Sequence, residues 1–232
     1  MLQVKRVSQV TFLHSEKLGR IPRIVHAFST RQGERNDFLA AVGVPGWPVM
    51  KLKQVHSGIV CEMHDTTAAN DPVEGDAAVT ALAGVVLAIQ TADCVPILLA
   101  DFQLRAVAAI HAGWRGTQKK ILENALKLMK SNWNSQTRDI RVVIGPGLKS
   151  CCYQVGEEFL NYFTGENEVK MHNGQFYLDL VQANKNQMRK EGMRDIQIYD
   201  CNFCTFCNPN FFSYRRDKEK AGRMISVMML RG

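Results

Sequence analysis

The sequence predicts a single α/β (α+β) domain in which layered, mixed β-sheets are flanked by helices. Between residues 77 and 110 several strand-like runs follow one another, and their Val, Ile, Leu and Ala content is nearly continuous. Such runs are typical of strands that are covered on both faces. Strand-like runs also outnumber helical segments, which favours mixed sheets over a doubly wound parallel sheet. A chain of 232 residues is long enough to bury a substantial core in one domain.

The elements follow from residue composition and from the spacing of apolar residues. Strands are predicted at residues 23–30, 51–63, 77–80, 85–89, 96–100, 105–110, 140–144, 196–199 and 224–230, and a loop is predicted at residues 64–76. Two helices are predicted because apolar residues recur at steps of three and four. The first covers residues 117–133 with Thr117 as its N-cap, and the second covers residues 178–191 with Asp179 near its start and Gly192 after its end.

The charge of the chain does not indicate a nucleic-acid partner. The 29 Lys and Arg residues exceed the 22 Asp and Glu residues by seven, but they are scattered, and no basic run of five or more occurs. The first twenty residues contain no continuous apolar core, so we expect no signal peptide. The richest apolar stretch, residues 83–100, is interrupted by polar residues, so we expect no membrane span. A cytoplasmic protein with reduced thiols is therefore expected.

Three segments place chemically reactive side chains at strand ends. They are KLKQVHSG (51–58), QTADCVP (90–96) and IHAGWRGT (110–117), and they carry His56, Cys94 and His111. These three residues are 38 and 17 residues apart, which is too wide for a finger-type metal clip but suits a site assembled from separate strand ends. Taken singly, each histidine or cysteine is more often an ordinary structural residue.

The residue types of this set permit two kinds of chemistry. Two imidazoles and one thiolate can bind Zn²⁺ tetrahedrally and leave one position for water or substrate. Without a metal, the same side chains form a nucleophilic Cys–His pair. Asp93 is a candidate to orient a histidine, and Arg115 is a candidate to bind an anion such as phosphate. Gly113 and Gly116 indicate a backbone shaped for close approach.

The chain resembles one protein family along nearly its whole length from about Val25. The matching blocks are QVHSG, GDAAVTALAGVVLAIQTADCVPILLAD, AAIHAGWRGT, IGPGLKSCCYQVGEEF, LDLVQANKNQ, FFSYRRD and GRMISVMML. This family is known as laccase-like polyphenol oxidase, as peptidoglycan editing factor and as multifunctional purine nucleoside phosphorylase. The early block here reads Thr30-Arg31-Gln32-Gly33-Glu34 and lacks the second glycine of the family's TRxGG pattern.

The resemblance implies a fold, an activity and a site. The implied fold is a layered α/β type shared with certain cysteine-dependent toxin domains. The implied activities are phosphorolysis of adenosine, inosine and methylthioadenosine and deamination of adenosine, so the partners are a purine nucleoside and phosphate. His56, Cys94 and His111 are the implied zinc-binding and catalytic residues, with copper as an alternative metal. Arg31, Asp93 and Arg115 are the expected substrate-binding residues, in a monomeric catalytic domain that covers residues 1–232.

The histidines of the chain test the laccase name directly. A multicopper oxidase needs several His-x-His pairs and a copper-binding cysteine flanked by histidines. The six histidines stand at positions 14, 26, 56, 64, 111 and 172, and no two are separated by a single residue. We therefore reject multicopper chemistry, which leaves only weak copper oxidation at the trio.

Two other groups of residues are left with open interpretations. Arg215 and Arg216 supply positive charge for a phosphate or form a surface salt-bridge pair, and the sequence favours neither. Cys201, Cys204 and Cys207 form a CxxCxxC pattern without an obvious fourth metal ligand. We expect these three to be reduced structural thiols, with a structural zinc as the alternative. Cys151-Cys152 are expected to be packing residues.

Two functional hypotheses remain. The leading one is a purine nucleoside phosphorylase with adenosine deaminase activity at the His56, Cys94 and His111 site. The alternative is a cysteine–histidine hydrolase or binding protein that uses the same pocket on a peptidoglycan precursor, as the name editing factor suggests. A redox or metal-storage role rests only on the cysteine count.

Overall fold

The computed structural model describes residues 2–65 and 72–232. Within these residues the strands are β1 (Leu2–Val7), β2 (Val10–Ser15), β3 (Ile24–Ser29), β4 (Val49–Lys53), β5 (Val60–Glu62), β6 (Val73–Glu74), β7 (Ala77–Thr80), β8 (Val86–Thr91), β9 (Val95–Asp101), β10 (Val107–Ala112), β11 (Ile140–Ile144), β12 (Gln154–Val155), β13 (Val169–His172), β14 (Gln175–Leu178), β15 (Ile198–Asp200) and β16 (Met224–Leu230). The α-helices are α1 (Glu16–Gly19), α2 (Arg35–Ala41), α3 (Trp114–Gln118), α4 (Ile121–Trp133), α5 (Phe159–Tyr162), α6 (Leu180–Lys190) and α7 (Tyr214–Asp217).

The strands form two large mixed sheets and one small sheet. The first sheet has the order β1-β2-β3-β16-β8-β4-β6, and β4 pairs in parallel with both β8 and β6. The second sheet has the order β15-β11-β9-β10-β7-β5, and its two outer pairs are parallel. A three-stranded antiparallel sheet, β12-β14-β13, lies apart from them. The α/β (α+β) class with mixed sheets in a single domain is confirmed.

The two large sheets pack face to face and are covered by helices on their outer faces. Alternate residues of β9 point to opposite sides, so Leu98 lies in the core between the sheets, whereas Ile97 lies against α4 and α6. In the first sheet, Leu87 of β8 faces the same inner core, whereas Val86 packs toward α2. Both faces of these strands are therefore buried, which explains their nearly continuous apolar sequence.

Most predicted elements are present, and the first predicted helix differs in one respect. The strands predicted at 77–80, 140–144 and 224–230 have the observed bounds. The helix predicted from residue 117 is divided, because Lys120 adopts a left-handed backbone conformation (φ +61°) between α3 and α4. Thr117 is therefore not an N-cap; it is buried in α3, where its hydroxyl accepts a hydrogen bond from Asn184.

The second predicted helix begins and ends as its capping residues suggest. The Asp179 side chain accepts a hydrogen bond of 3.0 Å from the backbone N–H of Gln182, and Gly192 follows the helix with φ of +86°. Of the predicted loop at 64–76, residues 66–71 lie outside the described residues, and the remainder includes the short strand β6. Among the described residues, no helix has the length and hydropathy needed to span a membrane.

A buried histidine outside the candidate site gives the fold a predictable response to acid. The Nε2 atom of His26 accepts a 2.9 Å hydrogen bond from the backbone N–H of Ser15, and its ring stacks on His14 at a centroid distance of 4.5 Å. Burial, together with the charges of His14 and Lys5, lowers the pKa of His26 to about 3. The folded protein therefore keeps His26 neutral at pH values where an unfolded chain protonates it.

We expect this histidine to reduce stability as the pH falls below about 6.5, the ordinary histidine pKa. Between pH 7.5 and pH 5 its contribution amounts to a loss of about 2 kcal/mol in the free energy of unfolding. Urea unfolding of the wild type and of His26→Gln at both pH values measures it, because glutamine keeps an acceptor for Ser15 but does not titrate. His172→Gln, at an exposed position, is the control. An equal pH dependence in the wild type and His26→Gln would contradict the prediction.

Candidate active site

The three predicted site residues lie at one cleft between strand ends. His56 follows β4, Cys94 lies in the turn between β8 and β9, and His111 is in the last part of β10. The cleft has a volume of about 590 Å³, which is in the range of small-molecule sites. Its lining residues are Leu52, Gln54, His56, Gln90, Thr91, Ala92, Asp93, Cys94, His111, Leu148, Tyr153, Leu180, Tyr214, Arg215, Lys218 and Arg223.

The structure brings the side chains of His56, Cys94 and His111 into mutual contact range. The Sγ atom of Cys94 lies 3.8 Å from Nε2 of His56. The two imidazole rings are 4.9 Å apart and nearly perpendicular, at 78°. One ligand atom from each of the three residues lies within 4.8 Å of the other two. His56 is exposed, Cys94 is half-buried and His111 is buried, so the trio extends from the cleft mouth to its floor.

A buried carboxylate that the sequence analysis did not select fixes two members of this trio. An Oδ atom of Asp76 lies 2.7 Å from Nδ1 of His111. The same carboxylate accepts hydrogen bonds from the backbone N–H groups of His56 (3.0 Å) and Ser57 (2.6 Å) and from the Ser57 hydroxyl (2.7 Å). Although burial opposes its ionisation, these contacts hold the pKa of Asp76 well below its usual range. The sequence does not indicate a role for Asp76, because this residue ends the predicted loop at 64–76 and is followed by a predicted strand of small residues.

The electrostatics of the site favour a thiolate beside an imidazolium. Burial opposes ionisation of Cys94, but its contacts with His111 and His56 outweigh burial and lower the pKa of the thiol to about 6. Burial likewise opposes protonation of His111, but Asp76 and Cys94 raise the pKa of this histidine to about 9. Because Nδ1 of His111 contacts Asp76, its Nε2 is the atom that faces the sulfur. Cys94 is therefore ionised at neutral pH, which suits both a nucleophile and a metal ligand.

The backbone around the trio is held in unusual conformations. His56 has φ of +58° and Asp93 has φ of +87°, which non-glycine residues rarely adopt. A Cβ atom on Gly113 would lie 3.0 Å from both Cys94 Sγ and His56 Cδ2, so a larger residue there would crowd the side chains of the trio. Gly116 is similarly close to the backbone of Ser57, as the sequence suggested.

Asp93 lines the cleft but does not orient a histidine. One of its oxygens accepts a 2.6 Å hydrogen bond from the hydroxyl of Thr205, and the other accepts a 2.6 Å bond from the backbone N–H of Arg215. The orienting role that the sequence suggested for Asp93 is therefore wrong, because Asp76 makes that contact. The position of Asp93 in the cleft leaves its predicted role in substrate binding as a prediction.

The cations that line the cleft differ from those that the sequence selected. Arg215, Lys218 and Arg223 are lining residues. The guanidinium of Arg115 instead stacks on the ring of Trp114 at 4.3 Å, and that of Arg31 lies over the ring of Phe212 at 5.2 Å. Neither arginine is among the residues that line the cleft. Their role in substrate binding therefore stays a prediction.

The sequence left two roles open for Arg215 and Arg216, a phosphate contact or a surface salt bridge, and the structure separates the two residues. Arg215 faces the cleft. Arg216 pairs with Asp217 at 2.9 Å and donates to the carbonyls of Thr205, Phe206 and Phe211. Arg216 is therefore a structural residue. The sequence alone does not distinguish it from an arginine that binds a ligand.

The donor set of the trio fits a zinc ion. A tetrahedral Zn²⁺ with Zn–S of about 2.3 Å and Zn–N of about 2.0 Å places its nitrogen and sulfur ligands about 3.5 Å apart. The observed 3.8 Å between His56 Nε2 and Cys94 Sγ is close to this separation. The contact of Asp76 with the other ring nitrogen of His111 is the arrangement that usually orients a metal-binding histidine.

Comparison with known proteins identifies the family to which the chain is similar. The family model described as multi-copper polyphenol oxidoreductase laccase matches residues 29–231. A protein of Aquifex aeolicus named purine nucleoside phosphorylase is 38% identical over 177 residues, which cover 76% of this chain and 81% of the relative. A protein of Deinococcus radiodurans with the same name is 34% identical and is covered, like this chain, over 89% of its length.

A solved structure shows the same fold. The crystal structure of YlmD from Geobacillus stearothermophilus superposes with a TM-score of 0.89 and 26% identity, over 99% of each chain. Since the family model covers most of the sequence and two relatives exceed 30% identity over most of their length, the chain belongs to the multi-copper polyphenol oxidoreductase laccase family, the family that the blocks around Cys94 and His111 predicted.

Proposed function

We propose that this protein is a purine nucleoside phosphorylase that cleaves adenosine, inosine and methylthioadenosine and also deaminates adenosine. The observation that carries the proposal is the juxtaposition, in one cleft, of the His56, Cys94 and His111 trio with the cations Arg215 and Lys218. The names of the relatives support the phosphorylase activity. The proposal includes a monomer with one catalytic domain over residues 1–232, which acts in the cytoplasm on small molecules and not on nucleic acid or a membrane.

Phosphorolysis needs an anion site next to the sugar. Arg215 is half-buried at the cleft, where its guanidinium donates to the backbone carbonyl of Gln154 and faces the ring of Tyr153 at 5.8 Å. These two contacts fix its direction and leave other N–H groups for a phosphate. Lys218 and Arg223 add positive charge to the same wall. Fixed cations of this kind stabilise the negative charge of the attacking phosphate in the transition state.

The cleft also has surface that suits a purine nucleoside. Tyr153 and Tyr214 supply aromatic surface, and Leu148 and Leu180 supply apolar surface. Asp93 places its carboxylate in the same cleft, so hydrogen bonding to the ribose is the role that we assign to it. A cleft with mainly apolar walls and few fixed polar groups is typical of small-molecule binding.

His56, Cys94 and His111 are the residues that would hold a zinc ion, and the same donors accept copper. When bound, zinc supplies an acidified water, the nucleophile that deamination requires. Asp76 keeps a proton on Nδ1 of His111 and so directs Nε2 of this ring toward Cys94. In the protein without metal, His56 lies at the exposed end of the trio, and it is then the residue that we assign to proton exchange with the leaving group or solvent.

A panel of nucleosides, assayed with and without phosphate, tests the proposal. Adenosine with phosphate is expected to yield adenine and ribose-1-phosphate, and adenosine without phosphate is expected to yield inosine and ammonia. Inosine and methylthioadenosine are expected to be cleaved only with phosphate. Failure of every nucleoside to react in the zinc-loaded protein would contradict the proposal.

Exchange of the cleft arginine is expected to weaken phosphate binding selectively. Arg215→Gln should raise the KM for phosphate by about 10- to 100-fold, because a charge-assisted hydrogen bond contributes about 1.5–3 kcal/mol. Arg115→Gln is the matched control, since this residue stacks on Trp114 outside the cleft lining. A larger effect in Arg115→Gln than in Arg215→Gln would instead support the sequence-based choice of Arg115.

One observation supports the alternative of a peptidoglycan precursor as ligand. A thiolate next to an imidazole, with the pKa of Cys94 at about 6, also suits nucleophilic hydrolysis of an amide or ester. A muropeptide precursor would then raise the melting temperature of the protein, whereas nucleosides would not. We expect the opposite result, with stabilisation by adenosine.

A further inference from the structure

A second cluster of potential metal ligands lies outside the candidate active site. The side chains of Cys151, Cys152, Cys204 and Cys207 place their sulfur atoms within 4.8 Å of one another. The sulfur of Cys207 lies 3.7 Å from that of Cys151 and 3.2 Å from that of Cys152. The sequence pattern had joined Cys204 and Cys207 with Cys201. Cys201 instead packs against the core between the two large sheets.

The separations suit a single tetrahedral metal ion. Four thiolates at a Zn–S distance of about 2.3 Å lie about 3.8 Å from one another around a tetrahedral zinc. Iron–sulfur clusters need wider spacing, because their cysteines bind different iron atoms. We propose that Cys151, Cys152, Cys204 and Cys207 bind one zinc ion as a structural site.

The backbone around these cysteines is arranged in advance of any metal. Gly147 and Cys204 pair as a parallel bridge, in which Thr205 N donates to Gly147 O at 3.1 Å. Cys152 N donates to Lys149 O at 3.0 Å, which turns the first pair of cysteines toward the second. Two chain segments that are about fifty residues apart in sequence are thus held side by side by the backbone itself.

Zinc binds cysteine side chains as thiolates, so uptake of the metal would release the protons of the four thiols to solvent.

The proposed zinc would stabilise one wall of the cleft without taking part in the chemistry. Thr205, next to Cys204, donates to Asp93 at 2.6 Å, and Asp93 precedes Cys94. Tyr153 follows Cys152 and lines the cleft. A metal that joins the two segments would therefore hold Asp93 and Tyr153 in place at the cleft.

Metal analysis of matched variants tests the site. The full chain is produced with added zinc, purified in the presence of a thiol reductant, and its zinc content per chain is measured. Cys204→Ser and Cys207→Ser are each expected to contain one equivalent less zinc than the wild type and to melt several degrees lower. Cys201→Ala, a neighbouring cysteine outside the cluster, is expected to keep the wild-type zinc content.

Unchanged zinc content in both serine variants would overturn the proposal, and one equivalent of iron in place of zinc would overturn the assignment of the metal. If the serine variants do not fold, two measurements on the wild type test the zinc site instead. Denatured without reductant, it should show all seven thiols of the chain. Replacement of zinc by cobalt should give the sulfur-to-cobalt absorption of a four-thiolate site. Two missing thiols, which indicate a disulfide, or a cobalt spectrum with only one thiolate ligand would overturn the site.

Discussion

Cys94→Ala is expected to lower kcat/KM for the phosphorolysis of adenosine by about 10³-fold or more, the range found when a residue that acts directly in the reaction is removed. The reason is that alanine removes the thiolate that both a nucleophilic and a metal-binding role require. Cys94 is half-buried at the cleft rather than in the core, so the melting temperature should change little. Steady-state kinetics and a thermal melt measure the two effects separately.

Two controls accompany this variant. Cys201→Ala removes a thiol of similar accessibility that lies away from the trio, and it should keep activity within about twofold, as substitutions away from a site usually do. Zinc content should fall in Cys94→Ala, since one of three ligands is lost. Full phosphorolytic activity in Cys94→Ala would refute the proposed site.

Asp76→Asn is expected to impair both activity and stability. The asparagine cannot accept from all of its partners, and it presents an amide instead of a carboxylate to Nδ1 of His111. Activity should fall by about 10²- to 10⁴-fold, because the tautomer and charge of His111 are no longer fixed. The free energy of unfolding should fall by about 3 kcal/mol, since buried N–H groups of His56 and Ser57 lose a charged acceptor.

The pH dependence of the free energy of unfolding of Asp76→Asn shows how much of the effect comes from the lost charge of Asp76 rather than from a changed side-chain shape. The pKa of Asp76 is lowered in the folded protein, so its contribution to stability is fully present above the ordinary carboxyl pKa of about 3.9 and is lost only in stronger acid. Because Asp76 and Cys94 outweigh burial and raise the pKa of His111 to about 9, the difference in unfolding free energy between wild type and variant should be largest near pH 6 and should decrease as the pH rises toward 9.

Ser57→Ala is the matched control for Asp76→Asn. It removes one hydrogen bond to the same carboxylate and leaves the contact with His111, so it should cost about 1 kcal/mol and less than tenfold in activity. Equal losses of activity in the two variants would show that Asp76 acts only as a structural acceptor.

The sequence predicts the central strands well because their signal is local. Residues 77–80 and 140–144 are apolar runs bounded by turn residues, and burial on both faces leaves no alternative to a strand. The division between α3 and α4 is not visible in the same way. Lys120 is an ordinary helix-forming residue, and only the packing of α3 against its neighbours places it in the left-handed conformation.

In the candidate site, some residues are likewise recognisable from the local sequence, whereas the roles of others depend on the tertiary fold. Cys94 and His111 are recognisable because they interrupt apolar strands with reactive side chains, and His56 is recognisable because its block QVHSG resembles the family. Asp76 and Arg215 are not, since their importance depends on which strand ends the fold brings together. The pairing of the Cys151 and Cys204 segments is likewise a property of the loops after β11 and β15, about fifty residues apart, and no local spacing rule detects it.

The position of β16 within the first sheet has a consequence for how the protein folds. This strand lies between β3 and β8. The backbone N–H of its Ile225 donates a hydrogen bond to the hydroxyl of Ser29, 196 residues earlier in the sequence. Closing so long a loop is entropically unfavourable, so the sheet is expected to be completed late and slowly. Until then β3 and β8 present unpaired edges that can recruit strands from other molecules. Refolding yield is therefore expected to depend on protein concentration more strongly than the stability of the finished domain suggests.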